Sequence, residues 1–357
     1  MLKKINKLVC LLCLATVLIL FPLSGFAENL MGVYEIALQS DPEIRRAEAA
    51  RLASQEAGPQ STARFLPSIF FSADLATQSR DLKSFSPAFG DSNTDFDSNG
   101  YNLNLSQPLF HYDAFKQSTQ ADAIIAQADI DYAVVQQDLI IRVAQRYFGV
   151  LDSQDNLVFA QSEKESIGRQ LEQTKQRFNV GLIAITDVHE AQSRFDLSIA
   201  NEIDAENRVA NAHESLRELT GQYFESLATI SDKARLVKPS PADIEKWNEM
   251  AQDQNLRLTS ARFSVDIARS FVDIQKSPHY PTVDLVGNYR FSDDSESPNF
   301  ATETTDTSVS LQFNWSLYAG SVVNSRTREA EFQHTQALQI LEIQRRATAR
   351  GVRDASL

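Results

Sequence analysis

Four short segments of this chain alternate apolar and polar residues, and they fall into two matched pairs far apart in sequence. Tyr101, Leu103 and Leu105 alternate with Asn102, Asn104 and Ser106. Val309, Leu311, Phe313 and Trp315 alternate with Ser310, Gln312 and Asn314. Each has an upstream partner. Ile69, Phe71, Ala73 and Leu75 form one, with Phe70 breaking the pattern. Val283, Leu285, Gly287, Tyr289 and Phe291 form the other, with Val286 among the polar positions. A period of two builds a sheet with one apolar and one polar face. Pro67 and Pro281 lie 214 residues apart, as do Ile44 and Leu258, and Ala47 and Ala261. Leu103 and Leu311 lie 208 apart, as do Leu105 and Phe313, so the six-residue difference falls in the polar loop. Tandem duplication accounts for this spacing better than chance.

Each segment is roughly ten residues long, the length of a tilted membrane-spanning strand. Aromatic residues near the segment ends (Phe291, Trp315 and Tyr318) suit an interfacial girdle. A soluble, half-buried hairpin is the commoner cause of alternation in any one segment. Four segments in two pairs, on a chain with an export signal, favour the membrane. That signal is read from Lys3, Lys4 and Lys7, an apolar run from Leu8 to Phe21, and small residues at Gly25 and Ala27. Cleavage is expected after Ala27. Cys10 and Cys13 both lie in the leader, so the mature chain is expected to hold no disulfide and no thiolate metal site. Beyond the leader no window approaches the ~20 apolar residues of a membrane helix. Any crossing must be made by strands, and four strands cannot close a barrel. An open edge in lipid leaves backbone N–H and C=O groups unpaired at a cost of several kcal/mol each. The barrel is therefore expected to be shared between chains.

Charge narrows the partners. The leader's three lysines leave 31 basic against 47 acidic residues, a net charge of −16, which disfavours nucleic acid. His111, His189, His213, His279 and His334 are scattered without metal-ligand spacing. No phosphate-binding glycine loop or nucleophile elbow is present. No metal, no cofactor and no catalysis are expected.

The helices are long. No proline interrupts the chain from about Ala114 to Asn179. At ~1.5 Å per residue that stretch reaches about 100 Å. Ile125, Ala128, Tyr132, Val135 and Leu139 step by three and four like a coiled-coil seam. Val143, Tyr147 and Leu151 then step by four and drift off the heptad. The run Arg177 to Val188 is expected to form the far turn, with Gly181 ending one helix and Thr186 or Asp187 capping the next. The return helix is expected from about Val188 to Leu219.

The expected fold class is α+β: long antiparallel helical hairpins with four amphipathic strands per chain contributing to a shared transmembrane β-barrel, in two tandem repeats. Residues 1–27 are the leader. Residues 28–220 form the first repeat, with strands at about 67–77 and 100–109 and a helical hairpin at 111–219. Residues 221–243, with Pro239 and Pro241, form a linker. Residues 244–357 form the second repeat, with strands at about 282–292 and 308–317 and a long helix starting near Ser321.

The chain resembles the TolC-like outer-membrane efflux proteins over essentially all of its mature length. The resemblance is carried by Glu28-Asn29-Leu30-Met31, by the run Gln170 to Gly181 (QLEQTKQRFNVG), and by Ala184-Ile185-Thr186-Asp187-Val188. It implies a homotrimer with a twelve-stranded barrel in outer-membrane lipid and a helical tunnel through the periplasm. It also implies partners: a periplasmic adaptor protein and an inner-membrane pump or ABC transporter. In the family the adaptor meets the hairpin tip, here around Val180, Gly181 and Leu182. Residues matching Thr186 and Asp187 hold the periplasmic entrance closed by bonding to a Tyr and an Arg at the second tip. The second repeat as written stops before its hairpin is complete, and a fragment or truncated product is the expectation. The competing reading is a soluble periplasmic coiled-coil adaptor with a small β domain.

Overall fold

The computed structural model describes residues 28–82, 92–230, 240–241, 243–293 and 303–356. The leader, and parts of the linker and of both strand-connecting loops, lie outside the described residues. Two short helices, α1 (Leu30–Ser40) and α2 (Pro42–Gln55), open the chain. They are followed by α3 (Ala57–Ala63), β1 (Ser68–Leu82) and β2 (Ser92–Phe110). A 68-residue helix, α4 (Tyr112–Asn179), turns back into α5 (Ile185–Thr220). The plan then recurs with α6 (Ile244–Gln254), α7 (Leu256–Lys276), β3 (Thr282–Asp293), β4 (Glu303–Asn314) and α8 (Val322–Ser356).

The recurrence extends to single caps. Asn29 caps α1 through its side chain, and Asp243, 214 residues later, caps α6 the same way. Asp41 and Asn255, also 214 apart, break the helices at near-identical extended angles (φ −60, ψ 120 and φ −69, ψ 119). Both then accept a hydrogen bond from the next helix: Asp41 from the Glu43 amide and Asn255 from the Leu258 amide. A short polar side chain ends one helix and starts the next, because it satisfies the orphan amides of the new first turn. Ile44 and Leu258 are both buried, at 4% and 2% exposure.

By contacts the chain forms two compact units, Met1–Arg45 with Gln136–Val237, and Arg46–Val135 with Lys238–Leu357. The units cut across the repeats, since α2 and α4 each contribute to both.

The first unit holds the α4–α5 hairpin. Leu139, Val143, Tyr147 and Val150 are buried at 3% exposure or less. The four-residue steps after Leu139 thus mark the core-facing stripe of this part of α4. Farther along, Phe195 lies so close to Gly168 that an added Cβ would meet its ring at 3.1 Å. Glycine here lets the two hairpin helices approach. Arg142 donates to buried Asp41 at 2.6 Å, tying α4 to the α1–α2 break. The Tyr147 hydroxyl donates to the Ala228 carbonyl at 2.6 Å and lies 3.2 Å from that of Glu28. These carbonyls lie at a small parallel bridge between Glu28 and Leu227, in which the Ala228 amide donates to the Glu28 carbonyl. Burial pushes the Tyr147 phenol above its ordinary pKa.

The second unit holds the sheet, in the order β1-β2-β3-β4 with every pair antiparallel. Helices α7 and α8 pack together here, with Val272 and Ala330 buried. Lys116 pairs with Asp273 at 3.0 Å, and that hydrogen bond holds the Lys116 ammonium above its usual pKa.

Several expected boundaries need correction. β1 runs to Leu82 rather than 77, β2 starts at Ser92 rather than 100, and β4 starts at Glu303 rather than 308. Apart from Leu82 and Phe96, these added stretches are polar on both faces, so alternation cannot mark them. β4 also ends at Asn314 rather than 317; beyond it the Trp315 indole donates to the His279 carbonyl. The return helix starts at Ile185, capped by the Ala184 backbone, so neither Thr186 nor Asp187 is the cap.

Candidate functional site: an amphipathic strand wall and a hairpin tip

Cross-strand partners in an antiparallel sheet share a face, so the register sorts every residue of the wall. One face has the rows Phe110–Val283–Phe313, then Gln107–Leu285–Leu311, then Ile69–Leu105–Gly287–Val309. Above these lie Phe71–Leu103–Tyr289–Thr307 and Ala73–Tyr101–Phe291–Thr305. The next row, Leu75–Asn99–Asp293–Glu303, turns polar. At ~3.3 Å per residue the apolar rows cover about 26 Å along the strands. A lipid-facing strand wall presents an apolar band of ~25 Å. Tyr101 stacks on Phe291 at 4.9 Å near the top of this band. Below it, Tyr112 stacks on Tyr280 at 4.3 Å and Phe65 packs on Phe115 at 5.2 Å.

The opposite face is polar. Its rows, from the top, are Asp74–Gly100–Ser292–Thr304, Ser72–Asn102–Arg290–Asp306 and Phe70–Asn104–Asn288–Ser308. Ser68–Ser106–Val286–Ser310 and then Pro108–Asp284–Gln312 complete it. Asn288 donates to Asn102 at 2.7 Å, and Asp284 meets His111 at 2.9 Å. The two apolar positions that break the sequence pattern, Phe70 and Val286, both fall on this face. Pro108 lacks an N–H, and the ladder shifts register between it and Phe110.

The apolar face is not covered. Leu75 is 88% exposed, Val309 75% and Ile69 67%. Among the described residues the outer edges of β1 and β4 have no strand partner. A wall with bare apolar side chains and two open edges is a piece of something larger.

The hairpin tip is a separate feature in the other unit. Gly181 has φ +77, the left-handed conformation that favours glycine. Its amide donates to the Phe178 carbonyl at 2.8 Å, and the Leu182 amide to that of Arg177 at 3.0 Å. This pair of bonds is a Schellman motif. Val180 and Leu182 project at 71% and 69% exposure. Thr186 and Asp187 lie exposed in the first turn of α5, with no side-chain partner among the described residues. Asp187 there complements the positive end of the helix dipole. Among the described residues no His, Cys, Asp or Glu cluster could hold a metal, and no helix is long and apolar enough to cross a membrane.

The profile of the outer membrane efflux protein family matches residues 33–222 and 247–357. The chain belongs to that family. It is 38% identical to the outer membrane protein TolC of Vibrio cholerae over 92% of this chain and 74% of that protein. It is 28% identical to the alkaline protease secretion protein AprF of Pseudomonas aeruginosa, over 94% of this chain and 70% of that protein. A solved structure of CusC superposes with a TM-score of 0.74 at 16% identity, covering 94% of this chain and 78% of that one. Membership accounts for the exposed apolar face: the protein is an outer-membrane channel component, and its long helices form a periplasmic part. The family's relatives act as channels rather than enzymes.

Sequence alternation found the wall. It did not find Arg142 or Tyr147, since pairing between distant residues leaves no periodic trace. For Arg290 one signal was available: a lone cation at a polar position of an alternating strand.

Proposed function

We propose that this chain is one of three subunits of a passive conduit for efflux or type I secretion, fed by an inner-membrane pump or ABC transporter through a periplasmic adaptor. The open edges of β1 and β4, on either side of a lipid-ready face, carry this reading. Pairing β4 of one copy with β1 of the next satisfies the edge amides that lipid cannot. Three copies give twelve strands, above the minimum of about eight for a membrane barrel. The polar face then lines a water-filled lumen. Energy comes from the pump.

Val180, Gly181 and Leu182 are proposed as the adaptor contact, and Thr186 and Asp187 as gating contacts. Support comes from their exposure and from the self-satisfied turn that displays them. The repeat division at residues 221–243 belongs to the same proposal.

The test is purification followed by reconstitution. The mature protein should require detergent, migrate as a heat-modifiable oligomer and open conducting pores in planar bilayers. A freely soluble monomer would defeat the proposal. For the tip, Leu182→Asp should abolish export in whole cells while leaving bilayer conductance intact, and Asp187→Ala should raise the open fraction of the pore. Unchanged export and gating would remove those residues from the assignment.

A further inference from the structure

The polar face of the wall is not electrically uniform. In the four-stranded part it carries three carboxylates, Asp74, Asp284 and Asp306, and one cation, Arg290. The carboxylates are spread over three rows. Asp74 lies against Gly100, where an added Cβ would be 3.4 Å from its carboxylate. Asp284 is engaged by His111 at the bottom of the wall. Arg290 stands in register with Asn102 on one side and Asp306 on the other. It is exposed, and it makes no ion pair with any described residue. An arginine that merely braced a strand would be expected to close on the facing carboxylate. This one remains open toward the solvent side of the wall.

We infer that Arg290 is a specificity-determining residue of the conduit, a guanidinium in the lumen wall that favours anionic solutes against an otherwise acidic lining. The inference rests on the proposal that this face lines a lumen. Arginine suits the task because it stays charged at all working pH values and can meet carboxylate, sulfonate or phosphate groups through two parallel N–H donors. With one copy per subunit, the assembled wall carries a ring of such groups at a single height. Fixed wall charge acts on permeating ions only within a Debye length, about 10 Å at 0.1 M salt and about 30 Å at 0.01 M. In a wide pore the bias is therefore strong in dilute salt and weak in concentrated salt.

The experiment measures reversal potentials of reconstituted channels in planar bilayers under dilute potassium chloride gradients. Arg290→Gln should raise the K+/Cl− permeability ratio roughly two-fold. Arg290→Lys should keep the wild-type ratio. Asp306→Asn should lower the ratio, and the double variant Arg290→Gln with Asp306→Asn should return close to wild type. All differences should vanish near 1 M salt, where the Debye length falls to about 3 Å. A conducting Arg290→Gln channel with the wild-type ratio in dilute salt would overturn the inference and leave the channel proposal standing. A wild-type protein that opens no pore would overturn both.

Discussion

The strand wall and the α4–α5 hairpin treat their apolar residues in opposite ways. In the hairpin unit Leu139, Val143 and Val150 are all but completely buried. In the wall Ile69, Leu75 and Val309 stand at 67–88% exposure. The hydrophobic effect is the same in both, so the difference lies in the solvent. A helix in water must hide its stripe within the chain. A strand wall in lipid hides nothing, and must instead close its backbone hydrogen bonds. Polar groups follow the same division: the hairpin unit buries the Asp41 carboxylate against a half-buried Arg142, while across the apolar rows the wall keeps its charges on the opposite face.

The largest test of this contrast is in the hairpin unit. Arg142→Met leaves the Asp41 carboxylate buried and without its guanidinium, which should cost about 3–5 kcal/mol. Denaturant titration followed by helical circular dichroism should show the loss. A change below 1 kcal/mol would mean that Asp41 is wetter than the structure shows. Next in size is Leu105→Arg, at the middle of the apolar rows, with an expected cost of about 2–4 kcal/mol in lipid. Ser106→Arg, its neighbour on the other face, should stay within about 0.5 kcal/mol. Equal effects for the two, measured as recovery of the heat-stable oligomer, would erase the distinction between faces.

A smaller effect is expected from Tyr147→Phe. It removes the donor to the Ala228 carbonyl from a buried site and should cost about 1–2 kcal/mol. Limited proteolysis near residue 228 should register the change. The smallest effect is confined to alkaline pH. Because the folded state raises the Tyr147 pKa, its contribution is complete below about pH 10. It is lost as pH climbs through the higher folded value. Phenolate absorbance should show a late-titrating component that is smaller in Tyr147→Phe. A late phase of unchanged amplitude in the variant would rule Tyr147 out as a contributor.

How much of this was legible in the sequence differs between the regions for the same reason. Alternation at Leu103 and Leu105, or at Leu311 and Phe313, marks a strand only where one side meets lipid. At 78–82 and 92–99 polar residues dominate both sides, so those ladder residues read as loop although β1 and β2 remain paired through them. Trp315 and Leu317 continue the apolar rhythm after the ladder has stopped. The turn at Gly181 was legible because a left-handed residue leaves glycine as its mark. The start of α5 was not, since Ala184 caps with backbone alone and carries no polar side chain. Arg142 with Asp41, 101 residues apart, lies beyond the reach of any local pattern.

The Schellman turn at the hairpin tip has one more consequence. Its two amides are already spent on Phe178 and Arg177, so stripping water from Val180 and Leu182 orphans no backbone donor there. A visiting surface need supply only shape and greasy area to seat against it. Such a contact should tolerate high ionic strength and loosen in the cold, because apolar association weakens on cooling.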